Sequence, residues 1–440
     1  FIFHMRIKRI HIQSFRGIKD MQIDFQEKEP NVFIGINGVG KSSILDCLAI
    51  LLSRYTSPVQ FPTTSGRLFR EEDIRYGNPQ THNEITIDTT DGEVTWSLAK
   101  VQKRRSKNSS TDLSQLRQLV DKTHSQLDKN PRFNLSVIVH YCVNRAVLDI
   151  PLKVRKKHSL ERATAYDQSL HGVQINFNNF FQWFRKLEDL ENENRRDNPD
   201  YTNPQLETVR EAIYSLISGL SDLRVRRSPL RMTVKKRDIS SQDTQSNNPK
   251  GVKQSDDREL NVNQLSDGEK CLLAMVGDLA RRLAIANPGL DEPLQGDGIV
   301  LIDEIELHLH PKWQRDIVPA LIKTFPNCQF IVTTHSPQVI SHIQPEGVYI
   351  LENTNEGIIA IQPDISFGRD SNQILEDLME VPERPQKIKD CLQRLFKYID
   401  QGNIEKAREL RQELAELIGE DEPEFVRADV LIRRKEILKK

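Results

Sequence analysis

The feature that most constrains this 440-residue chain is a glycine-rich turn placed between an apolar strand and an apolar helix. Residues 35–42 read GINGVGKS, a full match to the pattern G-x-x-x-x-G-K-S. Glycine lets a backbone turn approach a bound group closely, and a helix N-terminus presents free N–H groups and a positive dipole end. The sequence therefore predicts a phosphate-binding loop between a buried strand over 31–36 and a helix over 42–52.

Two side chains of this loop have distinct expected roles. Lys41 should reach the β- and γ-phosphates of ATP, and the hydroxyl of Ser42 should ligate Mg²⁺. A glycine turn that matches by chance is the alternative, and the flanking strand and helix argue against it. The residues expected to contact the nucleotide here are Gly35, Asn37, Gly38, Val39, Gly40, Lys41, Ser42 and Ser43.

A second motif delivers two carboxylates to the end of a buried strand. Residues 299–302 are apolar and are followed by Asp303 and Glu304. Open α/β sheets bind ligands at the carboxyl ends of their strands. Asp303 is expected to hold the Mg²⁺ shell, and Glu304 to polarise the attacking water. An apolar strand ending in two acids is common by itself, but downstream of a phosphate-binding loop it becomes specific.

A third motif, LSDGEK over residues 265–270, matches the L-S-x-G-[EQ]-[KR] signature of ABC-type ATPases. Ser266 is a candidate N-cap of a helix over 266–286, and the backbone of Gly268 could approach a phosphate. The simpler interpretation is a capping box between Ser266 and Glu269, which is compatible with the first. Leu265, Ser266, Gly268 and Glu269 are accordingly predicted to complete the nucleotide site of a second copy in a head-to-tail dimer.

A fourth motif is a strand over 329–333 that runs into Thr334 and His335. This resembles the switch histidine that senses the γ-phosphate, so His335 joins Lys41 and Glu304 as a candidate catalytic residue. A metal site built from His308, His310 and His335 is disfavoured, because residues 308–311 occupy the loop that makes subunit contacts in this class.

The spacing of the motifs predicts an inserted segment. Between Lys41 and Ser266 the chain advances 225 positions, more than a minimal ABC domain requires. We expect four parts: an N-terminal ATPase lobe over 1–150, a helical insertion with a flexible loop over 151–258, a C-terminal ATPase lobe over 259–368, and a helical tail over 369–440. The helical part should occupy about 160–220, with loops over 191–204 and 238–258 and a helical hairpin after 370.

Composition narrows the class of protein. The net charge of −1 excludes a uniformly basic nucleic-acid sleeve. Five scattered cysteines without a C-x-x-C pair indicate a reducing cytoplasm, and apolar runs stay far below the roughly 20 residues of a membrane span. Residues 1–4 are expected to be an extension before Met5, with no secretory signal.

Basic residues cluster in the run 224–237, and shorter runs lie at 100–107 and 153–157. Such clusters could contact phosphates of a nucleic acid. A solvated face or loop edge is the preferred interpretation, because no aromatic residues interleave to stack on bases.

Longer stretches carry a family resemblance. Residues 12–17 (IQSFRG) resemble the Rad50, SMC, RecF and OLD branch of ABC-type ATPases, which implies that Arg16 contacts the nucleotide. Residues 139–145, 278–283, 302–314 and 330–338 resemble the AAA15/OLD-like ATPases of bacterial defence systems. The tail from 378 to 385 (LMEVPERP) and the helices after it resemble the PtuA-type ATPases of Septu anti-phage systems, which also accompany some retrons. The expected fold is α/β, a two-lobed ABC/Rad50-like P-loop ATPase with a helical insertion and a C-terminal helical tail.

The resemblance also implies partners. PtuA-type proteins work with a separate HNH endonuclease, PtuB, so a PtuB-like subunit is expected. The chain itself is expected to form a homo-oligomer, either a head-to-tail dimer or an assembly of dimers. The tail has no D-x-D motif of the kind that a Toprim nuclease needs. DNA, or a retron reverse transcriptase with its msDNA, is a further candidate partner. The alternative function is a RecF- or Rad50-like repair ATPase that acts directly on DNA; a transporter subunit is disfavoured by the split lobes.

Overall fold

The computed structural model describes residues 4–27, 29–102, 110–143, 162–170, 177–237, 257–355, 357–379 and 381–438. The chain divides into two compact units, Phe1–Arg369 and Asp370–Lys440. Each unit has its own hydrophobic core.

The first unit contains all the strands described here. They are β1 Met5–Phe15, β2 Ile18–Asp24, β3 Asn31–Ile34, β4 Gln80–Thr89, β5 Gly92–Val101, β6 Val137–Tyr141, β7 Leu220–Arg227, β8 Leu230–Arg237, β9 Asp257–Asn261, β10 Gly298–Ile302, β11 Cys328–Thr333, β12 Val348–Thr354 and β13 Gly357–Ile361. Its helices are α1 Lys41–Gln60, α2 Ser114–Lys129, α3 Phe177–Asn194, α4 Pro204–Leu216, α5 Asp267–Ala286, α6 Pro311–Thr324 and α7 Pro337–Ile340.

A six-stranded sheet forms the centre of this unit, in the order β13-β12-β3-β11-β10-β6. All neighbours pair in parallel except β12 and β13. Every residue of β10, β11 and β6 is buried, as expected for strands covered on both faces. Because β11 lies between β3 and β10, the loops that follow these three strands emerge side by side at one edge.

A second, antiparallel sheet has the order β2-β1-β4-β5 and the alternating burial of a sheet with one apolar face. Buried polar contacts join it to the central sheet. Asp297, which directly precedes β10, accepts hydrogen bonds from Arg6 at 2.5 Å and from the Met5 N–H at 2.9 Å. The side chain of Gln329 on β11 bonds both the N–H and the carbonyl of Ile7.

The second unit consists of α8 Ser371–Asp377, α9 Gln386–Asp400, α10 Ile404–Ile418 and α11 Pro423–Leu438. Its core includes Leu395 and Ile399 from α9, Leu414 from α10 and Phe425 from α11. The predicted helical hairpin corresponds to α9 and α10. The third helix, α11, completes the core.

The predicted ends of several helices and loops are wrong. The helix after the glycine loop ends at Gln60, because it continues past Leu52 with buried Tyr55 and Val59. Helix α3 extends to Asn194, into the predicted loop over 191–204. No helix was predicted over residues 114–129, where the structure has α2.

The basic run over 224–237 forms strands β7 and β8, because each buries one row of side chains that includes Val225, Met232 and Val234. Of the predicted loop over 238–258, residues 257 and 258 begin β9, and the remainder lies outside the described residues. The basic run 153–157 and most of the run 100–107 also lie outside them.

The fold predicts that the free energy of unfolding depends strongly on the carboxylate of Asp297. Replacing it in Asp297→Ala leaves the buried guanidinium of Arg6 without its carboxylate, which should cost about 3–5 kcal/mol in the free energy of unfolding. Denaturant unfolding followed by circular dichroism measures this loss. The matched control, Asp24→Ala, removes the partner of Arg9 in an exposed ion pair and should change stability little. Equal effects of the two substitutions would contradict the assignment.

Candidate nucleotide-binding site

The loop between β3 and α1 has the backbone of a phosphate-binding turn. Gly35, Gly38 and Gly40 adopt φ values of 143°, 81° and 108°, which residues with a Cβ rarely adopt. A Cβ on Gly35 would lie 2.6 Å from the carbonyl oxygen of Leu351, so glycine is required there for packing. A Cβ on Gly38 would meet nothing within 4 Å, so the crest of the loop opens onto free space. Asn37 is exposed at this crest, and Ser42 is exposed at the start of the helix.

The ammonium of Lys41 is held across the loop. Its Nζ donates to the carbonyls of Gly35 at 2.8 Å and of Ile36 at 3.1 Å. Burial lowers the pKa of Lys41, while the negative charges of Asp303, Glu304 and Glu306 oppose that shift. The lysine is therefore a largely buried cation close to three carboxylates that follow β10.

The two acids at the end of β10 are positioned by a threonine on the neighbouring strand. The Thr333 hydroxyl donates to Oδ1 of Asp303 at 2.5 Å and accepts the N–H of Glu304 at 2.7 Å. Glu304 has a φ of 47°, an unusual value for a residue other than glycine. This conformation turns the chain sharply just after the strand. The carboxylate of Asp303 and the backbone of Glu304 are thus fixed by one shared hydroxyl.

His335 lies at the end of β11, between the loops that follow β3 and β10. Its backbone N–H donates to Oε1 of Glu306 at 2.6 Å, and the Thr334 hydroxyl donates to the other oxygen at 2.7 Å. Neither Glu306 nor Thr333 was predicted to be a site residue. For Thr333 the available signal was its position as a polar residue at the end of β11, which lies parallel to and next to the strand that ends before Asp303.

The signature segment forms the start of α5. Ser266 is the N-cap, and its hydroxyl and backbone N–H both bond Oε2 of Glu269, at 2.8 and 3.0 Å. Lys236 on β8 pairs with the other oxygen of Glu269 at 2.7 Å. Burial would raise the pKa of Glu269, but Lys236 and Ser266 together hold it below its ordinary value. The predicted capping box is confirmed.

Gly268 packs tightly within the same chain. A Cβ at this position would lie 2.6 Å from the carbonyl oxygen of His308, in the loop after Glu304. His308 itself has a φ of 63°. At Gly268 the signature segment therefore packs against the loop that follows the two acids.

A buried ionic network continues along α5. Asp278 accepts hydrogen bonds from Arg281 at 2.7 Å, from Arg282 at 2.6 Å and from the Tyr141 hydroxyl at 3.0 Å. Burial opposes ionisation of Asp278, yet the two arginines hold its pKa at about 2. The carbonyl of Tyr141, in turn, accepts the N–H of Asp303 at 2.9 Å. The helix that begins with the signature is thereby linked, through one residue of β6, to the metal-ligand candidate.

Arg16 occupies the turn between β1 and β2. Its guanidinium pairs with Asp46 at 2.7 Å and with Asp73 at 3.0 Å. Burial lowers the pKa of Arg16, and the two carboxylates outweigh that effect and raise it. Asp46 belongs to α1, so Arg16 braces the helix that follows the glycine loop. A direct contact with nucleotide stays a prediction.

The residues brought together fit a magnesium nucleotide. The glycine loop offers open space at its crest, a buried cation and an exposed serine hydroxyl, and Asp303 adds a carboxylate oxygen. Hydroxyl and carboxylate oxygens are the ligands that Mg²⁺ uses, with phosphate oxygens and water completing the shell. Within the described ranges, no group of three or more His, Cys, Asp or Glu side chains could hold a metal ion.

The basic run over 224–237 is largely neutralised within the chain. Arg226 pairs with Glu259, and Lys235 pairs with Asp222. Arg227 pairs with Glu188 and Asp189. The structure thus favours the interpretation that these residues form ion pairs on the surface of the chain rather than a free phosphate-contacting patch. Among the helices described, none is both long and apolar enough to cross a membrane.

The fold and the site together define an α/β ATPase with a phosphate-binding loop and a helical C-terminal part. The chain belongs to the AAA ATPase domain family, whose pattern matches residues 5–340. It is 30% identical to the Retron Ec83 probable ATPase of Escherichia coli, over 98% of this chain and 87% of that protein. It is 28% identical to the Retron Vc95 probable ATPase of Vibrio cholerae serotype O1 biovar El Tor, over 87% of this chain and 80% of that protein.

A further relative bears on the predicted resemblance. The chain is 23% identical to the Septu protein PtuA of Bacillus thuringiensis over 95% of both chains. The predicted resemblance to PtuA-type ATPases is therefore confirmed, and so is the prediction of an ATPase.

The geometry predicts that Thr333 is needed for turnover. Thr333→Val removes the hydroxyl shared by Asp303 and Glu304, and kcat for ATP hydrolysis should fall about 10- to 100-fold, with a smaller change in KM. Thr333→Ser keeps the hydroxyl and should retain most of the rate. Steady-state phosphate release measures both. A wild-type rate in the valine variant would show that this hydroxyl does not position the acids.

Proposed function

We propose that this protein is a nucleotide-controlled switch that binds ATP with Mg²⁺ at the edge formed by β3, β11 and β10. The observation that carries the proposal is that the glycine loop with Lys41 and the carboxylates that follow β10 lie at the same edge of the central sheet, where those carboxylates act on the pKa of Lys41. Lys41 would neutralise the β- and γ-phosphates, and the hydroxyl of Ser42 and Asp303 would hold Mg²⁺. When bound, that ion supplies positive charge that stabilises the transferred phosphoryl group.

Glu304 is the proposed group that orients the attacking water and accepts its proton. Its carboxylate belongs to a residue whose backbone is fixed by Thr333. His335 would sense the γ-phosphate from the middle of the same edge. The lobes 1–150 and 259–368 are proposed to form one nucleotide-binding body, because the first contributes β3 and β6 and the second contributes β10 to β13.

The second part of the proposal is a head-to-tail dimer. The N-terminus of α5 presents Ser266 and Gly268 beside the His308 loop, whereas the glycine loop lies at the end of β3. A second copy would bring its own α5 N-terminus, with free N–H groups and a positive dipole end, to the phosphates. Leu265 and Glu269 would shape that N-terminus, since Glu269 fixes the cap and Leu265 is buried beneath it.

The dimer proposal predicts the behaviour of Glu304→Gln. This substitution removes the base but keeps the site, so ATP should accumulate unhydrolysed and the protein should shift to a stable dimer. Light scattering after gel filtration, with and without ATP and Mg²⁺, measures the shift. Glu346→Gln, an exposed change elsewhere, is the control. Loss of hydrolysis with no nucleotide-dependent change in mass would refute the dimer while leaving the site intact.

The biological output is proposed to lie in a partner protein. Relatives are named as a Septu protein and as retron ATPases, which supports a role in anti-phage defence. The described part of the chain offers no cluster of metal ligands suited to nuclease chemistry. An HNH endonuclease of the PtuB kind is the proposed effector, with bound ATP keeping it inactive. A retron reverse transcriptase with its msDNA is a further proposed component.

The direction of control can be measured on the native complex. Purified complex should cleave DNA slowly with millimolar ATP and faster after the nucleotide is removed. Lys41→Ala should make cleavage insensitive to ATP, and Lys323→Ala, on the exposed face of α6, is the control. Cleavage promoted by ATP would reverse the direction. ATP-dependent binding of DNA by this chain alone, without a nuclease, would instead support a repair factor of the RecF kind.

A further inference from the structure

We infer that the C-terminal unit carries a second self-association surface, formed by helices α10 and α11, that pairs with the same unit of another copy. This surface belongs to the C-terminal unit, whereas the nucleotide site belongs to the first unit, and its pairing requires no nucleotide. The inference stands on the distribution of apolar and charged side chains over these two helices.

Helix α11 is apolar on two faces. Phe425, Ala428 and Ile432 point into the core of the unit. On the other face Val426, Val430 and Ile437 are 67%, 61% and 73% exposed. These three residues are separated by four and seven positions, so they form one stripe about 16 Å long. A contiguous apolar stripe outside the core-facing one is typical of a helix that packs against a further surface.

The stripe on α11 is also basic. Arg433 lies within it, four positions before Ile437, and Arg434 lies beside it. Both are exposed, and no ion pair joins either arginine to another residue of the described ranges. An occupant of this face must therefore offer apolar contact and negative charge together.

Helix α10 of the same unit supplies the matching charge. Glu405, Glu409, Glu413 and Glu416 are exposed and spaced by four, four and three positions, which places them on one face. None of these four glutamates forms an ion pair with another residue in the part of the chain that the structure describes. Leu417, beside this row, is 71% exposed. The acidic row is about 16 Å long, the same length as the stripe on α11.

A groove connects the two faces. It has a volume of about 820 Å³ and is lined by Ile404, Glu405 and Arg408 from α10 and by Arg433 and Ile437 from α11. One end of the acidic row and one end of the basic stripe thus border the same concave surface. A helix laid along this groove would meet apolar, acidic and basic groups at once.

A second copy of this unit is the occupant that satisfies all of these requirements. In a pairing related by a twofold axis, each α11 stripe meets the other copy's groove, and each arginine pair meets the other copy's glutamates. Two α11 helices alone would place arginines against arginines, so the acidic row of α10 is needed. Combined with head-to-tail dimers at the nucleotide sites, this contact would build assemblies of dimers.

Charge reversal in the full-length chain tests the inference. Nucleotide-free wild-type protein at micromolar concentration should sediment as a concentration-dependent dimer. R433E/R434E should weaken this association at least about tenfold, and so should E409R/E413R. Mixing the two variants should restore association, because the reversed charges then face each other. Analytical ultracentrifugation gives the dissociation constants, and circular dichroism confirms that each variant is folded.

The control reverses two exposed basic residues on α9, R394E/K397E, and should associate like the wild type. Lys41→Ala should also leave this association unchanged, which separates it from the proposed nucleotide-dependent dimer. A monomeric wild-type chain, or R433E/R434E that associates normally, would overturn the inference. It would equally be overturned if the reversals abolished binding of a partner nuclease but left self-association intact, because the occupant would then be that partner.

Discussion

The site depends on the parallel pairing of β11 with β3 on one side and with β10 on the other. Parallel strands in one sheet end at the same edge, so the glycine loop, His335 and the two acids must come together whatever their distance in sequence. The Thr333 hydroxyl adds a cross-link between β11 and the end of β10. Slipping this pairing by one residue would turn Thr333 to the opposite face and separate it from Asp303.

The signature helix is linked to this edge by a buried ionic network in addition to the apolar packing of its buried side chains. Asp278 on α5 remains ionised in the interior because two arginines surround it. Tyr141, which donates a hydrogen bond to Asp278, also accepts the N–H of Asp303 through its carbonyl. A movement of α5 on contact with a second copy would act on β6 and the end of β10 through these bonds. Buried ion pairs add little net stability, so conformational specificity is a reasonable role for this network.

Much of the site could be predicted from local patterns, because its residues occur in short runs and several of their contacts are made within the same run. Ser266 caps α5 through contacts three residues away, and Lys41 folds back onto Gly35, so local sequence sufficed. Thr333 and Glu306 escaped prediction because their partners belong to other strands or loops. The charged strands β7 and β8 were missed because their basic residues are paired with acids that are distant in sequence, such as Glu188 and Glu259.

The sequence by itself determined the phosphate loop, the strand that ends in two acids and the cap of the signature helix, since each is specified by residues within a few positions of one another. Tertiary structure alone decided that the hydroxyl of Thr333 holds Asp303, that Arg16 braces α1 through Asp46, and that Gly268 abuts His308. It also decided which face of α11 is left uncovered. The physical reason is that strand order and helix packing, which residue spacing does not encode, set which distant groups become neighbours.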